Sequence, residues 1–123
     1  MNTGSAVLLS VLMFGGIAHA GTQSLVTAPM NSMFGDSDTL FCQAVNVGTK
    51  PIAITFESHN VSGAIVTTLG PMTLQPGGVR GLQEVSAAQY CRFVIKGSKK
   101  NVRAHAVYYN TPGPHFLLSV PAQ

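Results

Sequence analysis

The sequence predicts an all-β domain, an antiparallel β-sandwich of about seven short strands. Apolar and polar residues alternate over short runs rich in Val, Ile, Thr and Phe, as expected for strands, whose successive side chains point to opposite faces. These runs recur about every eight to twelve residues, with glycine, proline and asparagine between them, which is typical of sandwiches. No stretch of helical length shows a 3.6-residue apolar period.

Residues 1–20 have the outline of a secretory signal peptide. An apolar run from Ala6 to Ile17 is followed by AHA at 18–20, an A-x-A-like cleavage site, and then by Gly21. No Lys or Arg precedes the run, and a buried N-terminal strand or helix is the alternative interpretation. We therefore expect export, cleavage after residue 20 and one β-sandwich domain over residues 21–123. No later apolar stretch approaches the roughly 20 residues that span a bilayer, so no membrane span is expected after cleavage.

Each predicted strand is a short run that begins and ends near turn residues. The runs are, in order, Thr39–Val47, Pro51–Ser58, Ala64–Leu69 with an extension at Met72–Leu74, Val79–Val85, two runs within Tyr90–Tyr109, and Phe116–Val120. Ser24–Thr27 is a candidate for an additional short strand before them. Glycine, asparagine and proline between the runs favour chain reversal because they adopt the dihedral angles of turns. In QPGG at 75–78, proline followed by glycine fits the central positions of a type II turn.

The two runs within Tyr90–Tyr109 predict the central hairpin of the sandwich. In the first run, Cys91, Phe93 and Ile95 share one face, and in the second the even-numbered residues from 102 to 108 do so. Between them, GSKKN at 97–101 supplies glycine and asparagine, which tolerate the dihedral angles of a tight reversal. Loops of about three to five residues that contain glycine commonly close hairpins.

The chain has two cysteines, Cys42 and Cys91. In an exported domain an even number of cysteines suggests a disulfide, and two cysteines allow one intramolecular pairing. A pair of buried free thiols is the alternative. In the chain-entropy model, closing a loop of this length contributes about 4 kcal/mol, a large share of the stability of a small domain.

One cysteine on an early strand and one on a late strand resembles the inter-sheet disulfide of immunoglobulin-like domains. Two features of true immunoglobulin domains are absent: the chain has no tryptophan, and Tyr90 directly precedes the second cysteine instead of lying two residues before it. The segments VNVGTKPIAITF at 45–56 and LQPGG at 74–78 look more like the strand turns of bacterial exported immunoglobulin-like modules. This resemblance covers turn residues. It implies an immunoglobulin-like architecture and an envelope or extracellular setting, but no activity.

Five of the seven basic residues lie in one stretch of the sequence. At a hairpin tip they would project together into water and form a contact for an anionic partner such as lipopolysaccharide, a cell-wall polymer or a nucleic acid. A structural interpretation competes with this one, since lysines at a sheet margin also prevent edge-to-edge aggregation. The five residues are Arg92, Lys96, Lys99, Lys100 and Arg103.

Metal binding is an alternative function. A periplasmic copper or zinc site would need imidazole, thiolate or thioether groups in one place. The available histidines and methionines are scattered and form no H-x-H or C-x-x-C motif. They are His59, His105, His115, Met30, Met33 and Met72.

Catalysis is not expected. The chain contains four carboxylate side chains and shows neither a G-x-S-x-G elbow nor a paired-carboxylate motif. No cofactor motif is present, and no specific nucleic-acid partner is expected. The sequence therefore predicts a secreted or periplasmic, non-catalytic binding or structural module of the cell envelope. Its partner is either another envelope protein, bound by strand addition at a sheet edge, or an anionic surface polymer.

Overall fold

A computed structural model describes residues 21–29, 38–84, 88–110 and 115–123. The predicted signal peptide, Met30 and Met33 lie outside these ranges. The described residues form eight strands and one 3₁₀ turn at Lys99–Asn101, with no α-helix, which confirms the all-β prediction with one strand more than expected. The strands are β1 (Thr22–Val26), β2 (Asp38–Asn46), β3 (Ile52–His59), β4 (Ile65–Leu74), β5 (Val79–Glu84), β6 (Tyr90–Lys96), β7 (Val102–Asn110) and β8 (His115–Pro121). No helix in these ranges is long and apolar enough to cross a membrane.

The strands form two four-stranded antiparallel sheets. The first sheet has the order β1-β6-β3-β4 and the second has the order β5-β2-β7-β8. Most strands therefore pair with partners that are distant in the sequence.

The predicted hairpin within Tyr90–Tyr109 is wrong, although both of its strands exist. The first run is β6, which pairs with β1 and β3, whereas the second is β7, which pairs with β2 and β8. The segment between them, including the 3₁₀ turn, carries the chain from one sheet to the other. Each strand has an apolar face, and placing the strands in opposite sheets lets both faces contribute to the core between the layers.

The core contains the inward-facing side chains of both sheets. Phe56 of β3 and Phe93 of β6 are fully buried and meet edge-to-face with ring centroids 5.7 Å apart. Leu40, Ala44 and Ala106 are buried in the second sheet. The alternation that predicted the strands is the same alternation that divides core from surface.

The predicted disulfide joins the two sheets. Cys42 of β2 and Cys91 of β6 are bonded, with their Cα atoms 5.8 Å apart and 49 positions apart in the sequence. Both side chains are completely buried. The bond therefore links the layers through the centre of the core.

Along one side of the molecule the two sheets are joined by hydrogen bonds, and we call this junction the β1–β8 seam. Val26 and Gln123 exchange two backbone bonds, of 3.0 and 3.1 Å, and Thr27 forms a bridge with Ala122. On the other side, β4 and β5 are the outermost strands of their sheets among the described residues.

Asn46, at the end of β2, holds the β2–β3 turn against β4. Its side-chain amide donates hydrogen bonds to the carbonyl oxygens of Lys50 at 2.8 Å and Leu74 at 2.9 Å, and its side-chain oxygen accepts one from the Gly48 N–H at 2.9 Å. Asn46 is completely buried, so these bonds satisfy a polar group that has no access to water.

Candidate anion-binding groove

A groove of about 830 Å³ lies where β2, β7, the end of β8 and the 3₁₀ turn meet. Most of the described residues that line it are apolar, and none of them is Phe, Tyr or Trp. They include Ala44, Val45, Val79, Val102, Ala104 and Pro121. Val79 is 57% exposed, so part of this apolar surface faces solvent directly.

Three cationic side chains, those of Lys99, Lys100 and Arg103, also line the groove, and we call them the basic rim. None of the described lining residues is acidic. No acidic side chain in this lining therefore neutralises the positive charge, and the site has the polarity to attract anions.

The backbone that carries the basic rim is fixed to both sheets. The Lys99 N–H donates to the side-chain oxygen of Gln23 in β1 at 2.8 Å, and the Val47 N–H donates to the Asn101 carbonyl at 2.8 Å. The Arg103 guanidinium donates to the Lys100 carbonyl at 3.0 Å. These bonds position the basic rim before any ligand binds, which lowers the ordering cost of binding.

The structure separates the five predicted polyanion contacts into two groups. Lys99, Lys100 and Arg103 meet at the groove, but Arg92 and Lys96 lie on β6 in the first sheet and do not line it. The hairpin on which the five-residue cluster depended does not form. Whether any of the five binds a polyanion stays a prediction.

Arg92 and Lys96 have surroundings of their own. Arg92 lies 3.4 Å from a carboxylate oxygen of Glu57 and donates a 3.3 Å hydrogen bond to the Ser24 hydroxyl, across three strands of the first sheet. Lys96 lines a separate depression of about 210 Å³. Neither residue adds charge to the lining of the groove.

His59 has a structural environment that the sequence did not reveal. It ends β3, is buried and stacks on Tyr90 with ring centroids 4.8 Å apart. Its Nε2 lies 2.9 Å from the Glu57 carboxylate and its Nδ1 lies 3.0 Å from the Gly63 carbonyl. Both ring nitrogens therefore contact hydrogen-bond acceptors within the fold.

The candidate metal ligands that lie within the described residues do not form one site. Within the described ranges, no group of three or more His, Cys, Asp or Glu side chains has a metal-binding arrangement. His105 lines the groove, His59 lies in the first sheet, and Met72 packs against the core. His115 begins β8, and Met30 and Met33 lie outside the described residues.

Comparisons with protein-family models, with curated proteins and with solved structures found no match. The chemistry of the groove is therefore the guide to its ligand.

Sequence reasoning found the basic rim but missed the apolar lining beside it. The lysines are adjacent in the sequence, whereas the lining comes from β2, β5, β7 and β8. Only the sheet order brings those strands together, and alternation along one strand does not specify its neighbours.

Proposed function

We propose that this chain is a secreted or periplasmic, non-catalytic binding module with an immunoglobulin-like architecture. Its groove would receive an anionic component of the cell envelope. The observation that carries this proposal is the basic rim in a groove whose described lining contains no acidic side chain.

The setting and architecture are supported by the disulfide. Cys42–Cys91 links the two layers of the sandwich, as the inter-sheet disulfide of immunoglobulin-like domains does. Such bonds persist in oxidising compartments. The disulfide is therefore compatible with export.

A partner that adds a strand to a sheet edge is less consistent with the geometry. The outer strand β4 contains Pro71, which has no backbone N–H, and its pairing with β3 is irregular between Ile54 and Phe56. Proline and register irregularities on outer strands hinder pairing with further strands. The groove offers complementary charge without this obstacle.

The proposal is tested with a surface coated with lipopolysaccharide, an anionic envelope polymer, and with a neutral dextran surface as control. We expect binding to the anionic surface alone, weakening as salt rises because exposed charges are screened. The double substitution Lys99→Ala/Lys100→Ala should weaken binding by about 30-fold, at roughly 1 kcal/mol for each basic residue beside an anionic surface.

Lys96→Ala is the matched control because it removes one lysine that lies outside the groove. Its binding should stay close to that of the unmodified protein. Binding that ignores salt, or that falls equally in the control, would contradict the proposal.

A further inference from the structure

The groove combines two surfaces that a purely hydrophilic anion would not need together. The basic rim provides positive charge, but most of the described lining is aliphatic. Val79 keeps 57% of its surface exposed within this lining. Exposed apolar surface of this kind gains free energy when a ligand removes it from water.

We propose that the ligand of the groove is a single-chain anionic amphiphile, with its hydrocarbon chain on the aliphatic lining and its charged head at the basic rim. This inference rests on the proposed function, because it assigns a chemical class to the anion bound at the same site. The chain would contact Val45 and Val79, which pair across β2 and β5 and share one face of the second sheet. The head would contact the side chains of Lys100 and Arg103.

The size of the groove fits this ligand class. Its volume of about 830 Å³ falls within the range of roughly 300–1,000 Å³ that is usual for small-molecule sites. A rigid site of this size is large enough for one chain and its head group. The fixed backbone of the 3₁₀ turn places the charges at one side of the lining.

The residue types in the groove also distinguish among anions. Recognition of single-stranded nucleic acids depends on aromatic rings that stack on successive bases, and the described lining contains no Phe, Tyr or Trp and a single imidazole, that of His105. Aliphatic side chains have no directional groups for a polar polymer, whereas they match a hydrocarbon chain. Cations next to an aliphatic surface are therefore complementary to a carboxylate or phosphate that carries an alkyl chain.

The test uses octanoate, decanoate and dodecanoate below their critical micelle concentrations, measured by titration calorimetry on the oxidised protein. If the chain lies on the lining, affinity should rise about fourfold for each added methylene, as expected for burial of one CH₂ group. Acetate, which has the head group alone, should not bind measurably, and decanol should bind more weakly than decanoate.

Two substitutions locate the binding. Val79→Asp places a carboxylate in the lining and should weaken decanoate binding by at least about tenfold, because it adds repulsion and removes apolar contact. Val61→Asp is its matched control: Val61 is 78% exposed but does not line the groove. Arg103→Gln should weaken decanoate more than decanol, because only decanoate carries charge.

The outcomes separate this inference from the proposed function. Affinity that is independent of chain length, or equal losses for Val79→Asp and Val61→Asp, would overturn the proposal of an amphiphilic ligand. If alkanoates fail while lipopolysaccharide binding stays salt-dependent, the groove binds a polar anionic surface and only the further inference is refuted. If both fail, the proposed function is refuted as well.

Discussion

Replacing Asn46 should remove one of the main links between β2, the β2–β3 turn and β4. Asn46→Ala deletes three hydrogen bonds, to Lys50, Leu74 and Gly48, at 2.8 to 2.9 Å. At about 1 kcal/mol for each bond, the free energy of unfolding should fall by about 3 kcal/mol. For a domain of this size that corresponds to a Tm lower by roughly 12–24 °C.

Asn46→Asp provides a sharper version of the same experiment. The carboxylate could still accept from the Gly48 N–H, but it would face the carbonyl oxygens of Lys50 and Leu74 without a proton to donate. Because an unpaired buried charge costs more than a missing bond, this variant should be less stable than Asn46→Ala at neutral pH. As the pH falls, protonation restores one donor and removes the charge, so the difference between the variants should shrink.

Urea unfolding monitored by circular dichroism at several pH values measures both effects. Thr49→Ala is the control, since Thr49 lies in the same turn and its side chain is exposed. A loss below about 1 kcal/mol for Asn46→Ala would mean that the three bonds add little net stability. An Asp variant that matches the Ala variant at every pH would refute the burial of this side chain.

Three further predictions concern the framework of the sandwich. Reducing the disulfide, or making Cys42→Ala/Cys91→Ala, should lower the unfolding free energy by about 4 kcal/mol for a loop of this length, measured by urea titration; a loss below about 1 kcal/mol would contradict the link between the layers. Gly81→Ala should lower the free energy of unfolding by about 1–3 kcal/mol, because the added Cβ would lie 2.8 Å from the Phe41 ring. A lower Tm would report this loss, and an unchanged Tm would argue against the close contact. Thr27→Val should lower the free energy of unfolding, measured in urea, by about 1–3 kcal/mol, since it removes the buried acceptor of the Cys91 N–H at 3.0 Å. An unchanged free energy of unfolding would show that water replaces the hydroxyl.

Matched controls are available for two of these changes. Gly21→Ala places a Cβ with no atom within 4 Å and should leave Tm unchanged, so a loss specific to Gly81 reports the contact. Thr49→Val removes an exposed hydroxyl and should be nearly neutral. A loss in Thr49→Val as large as in Thr27→Val would point to a general effect of the new side chain.

The positions of the strands could be predicted from the sequence because each strand carries its own signal. Alternation in Cys91, Phe93 and Ile95 follows directly from a core on one face. The partner of each strand carries no comparable signal, since the same apolar face can be buried within several sheet orders. The hairpin prediction failed for this reason, and the five basic residues lie on two sheets and the turn between them.

The disulfide could be predicted because two cysteines in an exported domain have one way to pair. The roles of Asn46 and His59 could not be predicted from the sequence. Each role depends on backbone carbonyl groups that only the folded chain brings close, that of Leu74 for Asn46 and that of Gly63 for His59. Asn46 reads as an ordinary polar residue near a strand end, yet its partner Leu74 lies 28 positions away. Buried polar residues of this kind become recognisable only when the strand order is known.

The β1–β8 seam determines when folding can finish. β1 pairs on one side with β6, and Val26 pairs on the other side with Gln123, so the earliest strand has its neighbours among the later parts of the chain. Loop-closure entropy is lost before such distant pairings contribute, which makes them slow to form. A chain that emerges N-terminus first from a ribosome or a translocation channel cannot complete the seam until Gln123 has emerged. The joining of the two sheets is therefore a late step in folding.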